Sequence, residues 1–406
     1  MPSVIETVVR PDLMVLSHAC FTAINRNVYV ALVALGWRLE LVIPQYLPGL
    51  DSRQADPKRV EDPPIHWVQV KGKTNQRFWS FEGLQTILEI RKPRAIYLEG
   101  DPASVLAIHC ARWARRNDVP LVCYTIENRI APLLRGVFRA DFPAVARTLR
   151  SFLMTRLTRS AIALVFVLCD AAAESMKVLG FAGRIFKMPL GYEPAVFRPD
   201  QEAREKIRAR HNLRAPVIAY IGRMVPGKGV EFLIEALGKL MDLEWHFLVD
   251  EFSSGERGDY SDRVQRQIAA NPKLGARTLR FHADHYEIAA YMNAADVVVA
   301  PSCLPEQYGR VLAEAMACGK VVIASDTGAY PELVGGCGII VPQADPQALA
   351  SVLRQVLVDS SVGRELGTKA AARALKALSM EVQVNIIDQR LKEMLSHHAT
   401  IRRQNM

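Results

Sequence analysis

The strongest constraint on the fold is an alternation of short apolar runs with helical patterns, which occurs twice along the 406 residues. The strand-like runs of the first series lie at 13–17, 40–44, 65–70, 95–100, 121–125 and 163–168. Those of the second series lie at 216–222, 245–250, 296–301, 320–325 and 338–342. This βα alternation predicts mainly parallel, doubly wound sheets. The chain is also too long for one ordinary core, so two domains are expected.

A stretch with three prolines and one glycine, residues 188–200, separates the two series and is interpreted as an interdomain linker. We therefore predict an α/β protein of two Rossmann-like doubly wound domains that face each other across a cleft. The N-terminal domain is expected over residues 1–192 and the C-terminal domain over 193–375. Residues 376–406 contain an amphipathic pattern, and we expect them to form a helical segment that packs back on the N-terminal domain.

Composition narrows the class of protein. Half of the residues are apolar and 23% are charged, which is typical of globular chains. The seven cysteines are an odd number without a C-x-x-C pair, which favours reduced thiols in the cytosol over disulfides or a zinc site. The start of the sequence lacks a signal-peptide pattern, and the longest apolar run is Ala161–Cys169, far below the ~20 residues that span a bilayer. A cytoplasmic location is therefore expected, including the inner face of the membrane.

The first candidate site is the sequence Y-I-G-R-M-V-P-G-K-G at 220–229, between a predicted strand and a predicted helix. Arg223 offers a planar fork of donors and Lys228 a compact charge, which together suit two neighbouring phosphates. Gly222 permits a close backbone approach. The sequence is neither a Walker loop nor G-x-G-x-x-G, and taken alone it is equally compatible with two solvated cations in a turn.

The second candidate site is E-Q-Y-G-R-V-L-A-E, in which Glu306 and Glu314 lie on either side of a loop-to-helix junction at Gly309. A helix that begins there would offer free backbone N–H groups to an anion at the carboxyl edge of a parallel sheet. A retaining glycosidase needs its two carboxylates ~5 Å apart, whereas a helical rise of 1.5 Å per residue places Glu314 roughly 8 Å along the axis. The pair is more plausibly spread along an extended ligand, although a salt bridge within the helix is an alternative for Glu314.

Together with S-D-T-G-A-Y-P-E (325–332), these motifs resemble glycosyltransferase family 4, whose members have the GT-B fold. The resemblance covers most of residues 215–350. It implies transfer of a sugar from a nucleotide-diphosphate sugar with retention of anomeric configuration. It also implies that Arg223 and Lys228 hold the donor diphosphate, that Glu306 contacts the sugar hydroxyls and that Glu314 contacts the ribose. The backbone around Tyr308, Gly309 and Arg310 would contact sugar and phosphate.

If these residues hold the donor in that way, no metal ion and no other cofactor is expected. Arg223, Lys228 and a helix N-terminus could stabilise the negative charge that develops on the departing diphosphate. The sequence contains no D-x-D pair that would chelate Mg²⁺ or Mn²⁺. The expected partners are a nucleotide-sugar donor and a glycan or lipid-linked acceptor, in cell-surface polysaccharide or glycolipid biosynthesis.

The acceptor side departs from the family pattern. The frequent glycine pair after the first strand is absent, and Y-T-I-E-N-R (124–129) replaces the usual histidine region. His18, Glu127 and Asn128 are the candidates for this side because they follow predicted strands, and a structural role is an alternative for each.

The excess of positive charge lies in the first half of the chain, with 25 Lys/Arg against 17 Asp/Glu in residues 1–195. The segment Arg129–Arg159 holds seven arginines and one acid, interleaved with apolar residues at roughly helical spacing. Such a segment favours contact with an anionic membrane, and a core-packing helix with a solvated arginine face is the alternative. Nucleic acid is not expected as a partner because aromatic platforms and recognised motifs are absent.

The sequence leaves three rival functions. One is a nucleotide-sugar epimerase or phosphorylase on the same fold, and another is a non-catalytic sugar-nucleotide-binding partner of a glycan assembly complex. A dehydrogenase is disfavoured by the missing G-x-G-x-x-G.

Overall fold

The computed structural model describes residues 10–48, 54–130, 142–250 and 259–404. The chain divides into two compact units, of which unit 1 comprises Met1–Met188 with Gln383–Met406 and unit 2 comprises Pro189–Val382. The sequence placed these divisions at residues 192/193 and 375/376. In the structure the first boundary lies earlier, between Met188 and Pro189, and the second lies later, between Val382 and Gln383.

Unit 1 is built on a seven-stranded parallel sheet with the order β3-β2-β1-β6-β7-β8-β9. Its strands are β1 (Leu13–Ser17), β2 (Leu39–Pro44), β3 (Ile65–Val68), β6 (Ala95–Glu99), β7 (Leu121–Thr125), β8 (Ile162–Val167) and β9 (Ile185–Lys187). A separate antiparallel ribbon joins β4 (Val70–Lys71) to β5 (Ser80–Phe81). The central strand β1 is buried along its whole length, as expected for a parallel sheet that is covered on both faces.

Among the described residues that precede unit 2, the α-helices lie between the strands of unit 1. They are α1 (Asn27–Ala34), α2 (Leu84–Arg91), α3 (Val105–Asn117), α4 (Phe142–Arg156) and α5 (Asp170–Val178). Short 3₁₀ segments cover Ala19–Phe21, Ala23–Arg26 and Gln76–Phe78. The predicted basic segment Arg129–Arg159 is described on both sides of residues 131–141, which themselves lie outside the described residues.

Unit 2 repeats the same arrangement in a six-stranded parallel sheet with the order β12-β11-β10-β13-β14-β15. Its strands are β10 (Val217–Tyr220), β11 (His246–Asp250), β12 (Thr278–Phe281), β13 (Val297–Ala300), β14 (Val321–Ser325) and β15 (Ile339–Val341). In both sheets the strand order reverses beside the first strand, which is the topology of doubly wound folds and confirms two parallel α/β domains.

The helices of unit 2 pack around a core that includes Trp245, Phe247 and Ile323. They are α6 (Gln201–Arg210), α7 (Val230–Gly238), α8 (Asp259–Ala269), α9 (Pro272–Arg277), α10 (Ile288–Ala294), α11 (Arg310–Ala317), α12 (Tyr330–Val334), α13 (Pro346–Val358) and α14 (Ser360–Ala377). Helix α13 begins at Pro346, and the Asp345 side chain caps it by accepting a hydrogen bond from the Ala348 N–H at 2.9 Å.

The last helix, α15 (Met380–Gln404), contributes residues to unit 1 from Gln383 onwards. The Trp37 indole nitrogen donates to Asp388 Oδ1 at 2.7 Å, and the Arg390 guanidinium carbon lies 4.4 Å from the Phe186 ring centroid. Within the part of the chain that the structure describes, no helix is long and apolar enough to cross a membrane.

Two details of the strand prediction were wrong. The run 65–70 was expected as one strand, but it breaks at Gln69, where the chain leaves the large sheet for the ribbon. Strands β9 and β12 were not predicted. Both are edge strands of three or four residues, and edge strands need less continuous apolar sequence than central ones because fewer neighbours cover them.

Candidate active site

The point where the strand order of unit 2 reverses lies between β10 and β13, and open α/β sheets bind ligands at the carboxyl ends of such strands. The loop after β10 carries Gly222, Arg223 and Lys228, and the loop after β13 carries Glu306. Both motifs found in the sequence therefore lie at the same edge of the sheet, on neighbouring strands.

The two loops are packed tightly against each other. Gly229 has a φ of +71°, and a Cβ at this position would overlap the Pro301 carbonyl oxygen. The Cys303 N–H donates to the Gly227 carbonyl oxygen at 2.8 Å. A residue with a side chain could not replace Gly229 without moving one loop, so this glycine sets the spacing between the two motifs.

Glu306 accepts hydrogen bonds from residues of both loops at this edge. Its Oε1 accepts a hydrogen bond from Lys228 Nζ at 2.6 Å and another from Ser302 Oγ at 2.6 Å. The Tyr330 hydroxyl lies 3.4 Å from Ser302 Oγ, and burial together with the Glu306 charge raises the pKa of this tyrosine. Lys228 and Glu306 are 22% and 16% exposed, so the ion pair is reachable from solvent.

The loop after β14 fixes the backbone of Glu306. The Ala329 N–H donates to the Glu306 carbonyl oxygen at 2.9 Å. Gly328 has a φ of +54°, and a Cβ there would overlap the Glu306 backbone. Gly328 belongs to the motif at 325–332, and this close approach explains why the position lacks a side chain.

Helix α11 starts at this edge with Gly309 as its N-cap at a φ of +105°. A Cβ on Gly309 would lie 2.6 Å from the Tyr330 ring, so only glycine permits this approach. Arg310 opens the helix, while Tyr308 precedes the cap and is 5% exposed. Burial raises the pKa of the Tyr308 hydroxyl. The N-terminus of α11 thus directs its first N–H groups toward the edge where Glu306 lies.

Glu314 is only 5% exposed, on the second turn of α11. Burial raises its pKa to about 8, against the opposing charge of Arg310 and with a further contribution from the Glu193 carboxylate. At neutral pH this carboxyl group is therefore mostly protonated, and it can donate as well as accept a hydrogen bond.

Arg223, in the loop after β10, differs from the buried residues of this edge because its side chain is exposed to solvent.

His285 lies near the Glu193 carboxylate, which also affects the pKa of Glu314, and it was not predicted as a site residue from the sequence. Its Nε2 lies 4.0 Å from Glu193 Oε1, its ring is edge-on to Phe197 at 5.3 Å, and burial lowers its pKa. The residue follows β12, a strand that the sequence did not predict, so the position of His285 at the carboxyl edge could not be inferred.

In unit 1 the corresponding reversal lies between β1 and β6. The Glu99 carboxylate at the end of β6 accepts hydrogen bonds from Ser17 Oγ and, at 2.5 Å, from the Tyr29 hydroxyl. His18 follows β1 and stands edge-on to Trp79 at 5.9 Å. Burial lowers the pKa of His18, which favours its neutral form near pH 7.

The other acceptor-side candidates follow β7. Glu127 is 5% exposed and pairs with the guanidinium of Arg77, which also lies 2.8 Å from Asp101 Oδ2. Glu127 Oε1 accepts a further bond from the Arg129 N–H at 2.7 Å. These contacts account for the burial of Glu127 as part of an ion-pair cluster. Asn128 is half-buried in the same loop.

No group of three or more His, Cys, Asp or Glu side chains suited to hold a metal ion occurs among the residues that the structure describes. The seven cysteines are free thiols, of which five are buried.

Two family models match the chain. The model described as "Glycosyl transferase 4-like domain" matches residues 22–191, and the model described as "Glycosyl transferases group 1" matches residues 215–359. The chain belongs to glycosyltransferase family 4. Between them the matched ranges include the loops after β7, β10, β13 and β14.

Curated relatives of this family-4 chain are similar over part of their length. A D-inositol 3-phosphate glycosyltransferase from Xylanimonas cellulosilytica is 31% identical over 278 residues, 64% of this chain and 63% of the relative. The protein of the same name from Corynebacterium jeikeium is 31% identical over 201 residues, 47% of each chain. A lipopolysaccharide core biosynthesis mannosyltransferase from Rhizobium leguminosarum is 27% identical over 201 residues, 48% of this chain and 56% of the relative. The chain spans about half the length of the first curated relatives that it matches.

Solved structures confirm the fold. A sucrose-phosphate synthase from Thermosynechococcus elongatus superimposes with a TM-score of 0.73 at 21% identity, covering 96% of this chain and all of that chain. The Anabaena protein HepE in complex with UDP gives a TM-score of 0.74 at 18% identity, covering 94% of this chain and all of that chain. The family-4 chain therefore has the GT-B fold.

Proposed function

We propose that this protein is a retaining glycosyltransferase that moves a sugar from a nucleotide-diphosphate sugar to a glycan or lipid-linked acceptor. Unit 2 would bind the donor, with the diphosphate between Arg223, Lys228 and the N-terminus of α11. Family membership and the arrangement of these groups at one sheet edge support the proposal. Cell-surface polysaccharide or glycolipid synthesis, on the cytoplasmic side of the membrane, is the setting that we infer.

The observation that carries the proposal is the contact of Lys228 Nζ with Glu306 Oε1 at 2.6 Å. It brings a cation suited to phosphate within one hydrogen bond of a carboxylate suited to sugar hydroxyls. A nucleotide sugar has the same order of groups, because the sugar carbon that reacts is joined directly to the diphosphate. A ligand with phosphate at Lys228 would therefore place its sugar beside Glu306.

In this mechanism the acceptor hydroxyl oxygen attacks the anomeric carbon from the face that the leaving group occupies. The bond between that carbon and the diphosphate oxygen breaks, and the acceptor proton passes to the departing diphosphate. Arg223, Lys228 and the N–H groups around Tyr308, Gly309 and Arg310 would stabilise the charge on the leaving group. No metal ion is needed for this role, so we expect activity to persist in excess EDTA.

Glu314 would bind the ribose of the donor. A protonated carboxyl group offers one donor and further acceptor capacity, and so can match a pair of vicinal hydroxyls more fully than a carboxylate can. The raised pKa of Glu314 supports this role, because its proton is retained at neutral pH.

The acceptor is proposed by class only. The names of two relatives point to two kinds of acceptor, an inositol phosphate and a component of the lipopolysaccharide core. His18 is the acceptor-side residue that we favour near the reacting hydroxyl, because its imidazole is held neutral by burial and could accept a hydrogen bond. Glu127 and Asn128 would shape the same side.

The test is release of nucleoside diphosphate from a panel of UDP-, GDP- and ADP-sugars, with and without a mixture of candidate acceptors. UDP-glucose is the first donor to try, since the Anabaena protein of this fold was crystallised with it. We expect Glu306→Gln to lower kcat about 100-fold while the nucleoside diphosphate still stabilises the protein. Glu365→Gln, an exposed change on α14, is the matched control.

Unchanged turnover in Glu306→Gln would refute the role of Glu306. Release of nucleoside diphosphate without an acceptor, or interconversion of the donor sugar, would favour a phosphorylase or an epimerase. Tight nucleotide binding without turnover of any donor would favour the non-catalytic alternative.

A further inference from the structure

Tyr330, the first residue of α12, is in contact with two separate parts of the donor edge. The residue is only 4% exposed. Its ring packs beside Gly309, and its hydroxyl lies among the side chains around Glu306. A buried tyrosine is ordinarily a core residue whose hydroxyl has found a hydrogen-bond partner. Tyr330 differs because its ring and its hydroxyl each contact a different group of the proposed site.

The hydroxyl of Tyr330 donates into a set of hydrogen bonds that ends on the Glu306 carboxylate. Ser302 Oγ lies 2.6 Å from Glu306 Oε1 and 3.4 Å from the Tyr330 hydroxyl oxygen. A carboxylate oxygen only accepts, so the Ser302 proton points to Glu306 and the Ser302 oxygen is left to accept. Burial and the charge of Glu306 raise the pKa of Tyr330, which keeps the phenolic proton available for donation. Tyr330 is therefore a donor to the pair formed by Ser302 and Glu306.

The ring of Tyr330 supports the start of α11. Gly309, the N-cap of that helix, lies so close that a Cβ on it would be 2.6 Å from the ring Cε1. This contact fixes where the first N–H groups of α11 lie, and those groups would receive the diphosphate. A smaller side chain at position 330 would leave a void beside the N-cap, into which the helix start could shift.

Tyr330 is itself held in place from both ends of α12. Its backbone N–H donates to the Thr327 carbonyl oxygen at 3.2 Å. At the other end, the Arg373 guanidinium of α14 donates to the carbonyl oxygens of Leu333 at 2.9 Å and Glu332 at 2.8 Å. A helix of five residues is not stable by itself, so these bonds give Tyr330 a fixed position.

We propose that Tyr330 is a positioning residue for glycosyl transfer, whose hydroxyl orients the Glu306 carboxylate and whose ring fixes the start of α11. The group beside the sugar and the groups around the diphosphate would then be held at one separation by a single side chain. Reacting groups tolerate displacements of only about 0.5 Å, so such support affects the rate. The inference rests on the proposed function, because it takes Glu306 and α11 as parts of the donor site.

A second tyrosine of unit 2 shows what a purely structural role predicts. Tyr291, on α10, is also 4% exposed, and its hydroxyl lies 3.4 Å from His211 Nε2. Its ring stacks on Phe281 with the centroids 4.0 Å apart. These partners are neither Glu306 nor α11. Loss of either hydroxyl should therefore have a similar effect on folding, whereas only the loss at Tyr330 should alter the reaction.

The experiment measures donor turnover and nucleotide affinity in Tyr330→Phe, which removes only the hydroxyl. We expect kcat to fall about three- to ten-fold, as for the loss of one hydrogen bond that aligns a reacting group. KM for the donor should stay within about two-fold, and stabilisation by whichever of UDP, GDP and ADP binds the wild type should be unchanged. In the Glu306→Gln background the same change should alter kcat less than about two-fold, because no carboxylate remains to be oriented.

The ring is tested separately by Tyr330→Leu. This change should weaken the affinity for the nucleoside diphosphate about five-fold relative to Tyr330→Phe, because the start of α11 loses its support. Tyr291→Phe and Tyr291→Leu are the matched controls, and both should keep kcat and nucleotide affinity within about two-fold of the wild type. Tyr330→Phe keeps the ring packing, so it decides the role of the hydroxyl even if Tyr330→Leu does not fold.

Three results would overturn the proposal: a wild-type kcat in Tyr330→Phe, an equal loss of kcat in Tyr291→Phe, or an undiminished further loss in the Glu306→Gln background. A wild type that turns over no donor would instead refute the proposed function. In that case an unweakened nucleotide affinity of Tyr330→Leu would still overturn the role assigned to the ring.

Discussion

Replacing Glu314 by glutamine should stabilise unit 2 and remove part of its pH dependence. The folded protein raises the pKa of this carboxyl group from 4.5 to about 8. Between these values the folded state keeps a proton that the unfolded state has released. Stability from this group is therefore full below pH 4.5 and falls as the pH rises toward 8.

The magnitude follows from the two pKa values. One pKa unit corresponds to about 1.36 kcal/mol, so at pH 7 the buried carboxyl group costs about 3 kcal/mol of folding free energy relative to its unfolded reference. The cost is about 1 kcal/mol at pH 5. Glutamine has nearly the same shape and cannot ionise. We therefore expect Glu314→Gln to be more stable than the wild type at pH 7 by roughly 2 kcal/mol relative to their difference at pH 5.

Hydrogen exchange measured by mass spectrometry is the suitable assay, because it reports on each unit separately. Amides of β10 and β13 lie in the centre of the unit 2 sheet and should exchange only by global opening of that unit. Glu235→Gln is the matched control, since this side chain is 56% exposed on α7. A stability difference between wild type and Glu314→Gln that does not change between pH 5 and pH 7 would refute the reasoning.

Two further predictions concern buried polar contacts. Ser302→Ala should lower kcat about ten-fold with little change in KM for the donor, because Ser302 Oγ holds Glu306 at 2.6 Å. An equal loss of nucleotide affinity in a thermal-shift titration would argue against that positioning role. Arg26→Met should destabilise unit 1 by about 1–3 kcal/mol, because the buried Asp62 carboxylate loses its bond from Arg26 at 2.8 Å and keeps only its contacts with Arg59. Urea unfolding monitored by circular dichroism measures this loss, and an unchanged free energy of unfolding in Arg26→Met would contradict the prediction.

The central strands were readable from the sequence because continuous runs of valine, isoleucine and leucine are needed where helices cover both faces of a sheet. The strand β7 was predicted with the bounds that it has, Leu121–Thr125. Glu306 and the start of α11 were also readable, since glycine at 309 marks the junction in the sequence itself. These features depend on residues that are close together in the chain.

Contacts between distant parts of the chain could not be predicted from the sequence. Lys228 and Glu306 are separated by 78 positions, and their 2.6 Å contact depends on the order of the strands that precede them. Likewise the periodicity of α4 was visible, but its orientation was not, because hydroxyl side chains that face inward need specific acceptors such as the Pro102 carbonyl. The sequence had offered a core-packing helix with apolar residues inside as the alternative, and the described part of the segment contradicts it.

The return of α15 to unit 1 has a consequence for how the protein is made. Ile387 and Leu391 are buried, and Asp388 holds Trp37, yet a ribosome synthesises these residues only after all of unit 2. At about 5–20 residues per second, the N-terminal sheet waits roughly 10–40 s for the helix that completes it. During that interval the partner surfaces of α15 on residues 1–188 are uncovered, and chaperone binding would be concentrated there rather than on unit 2.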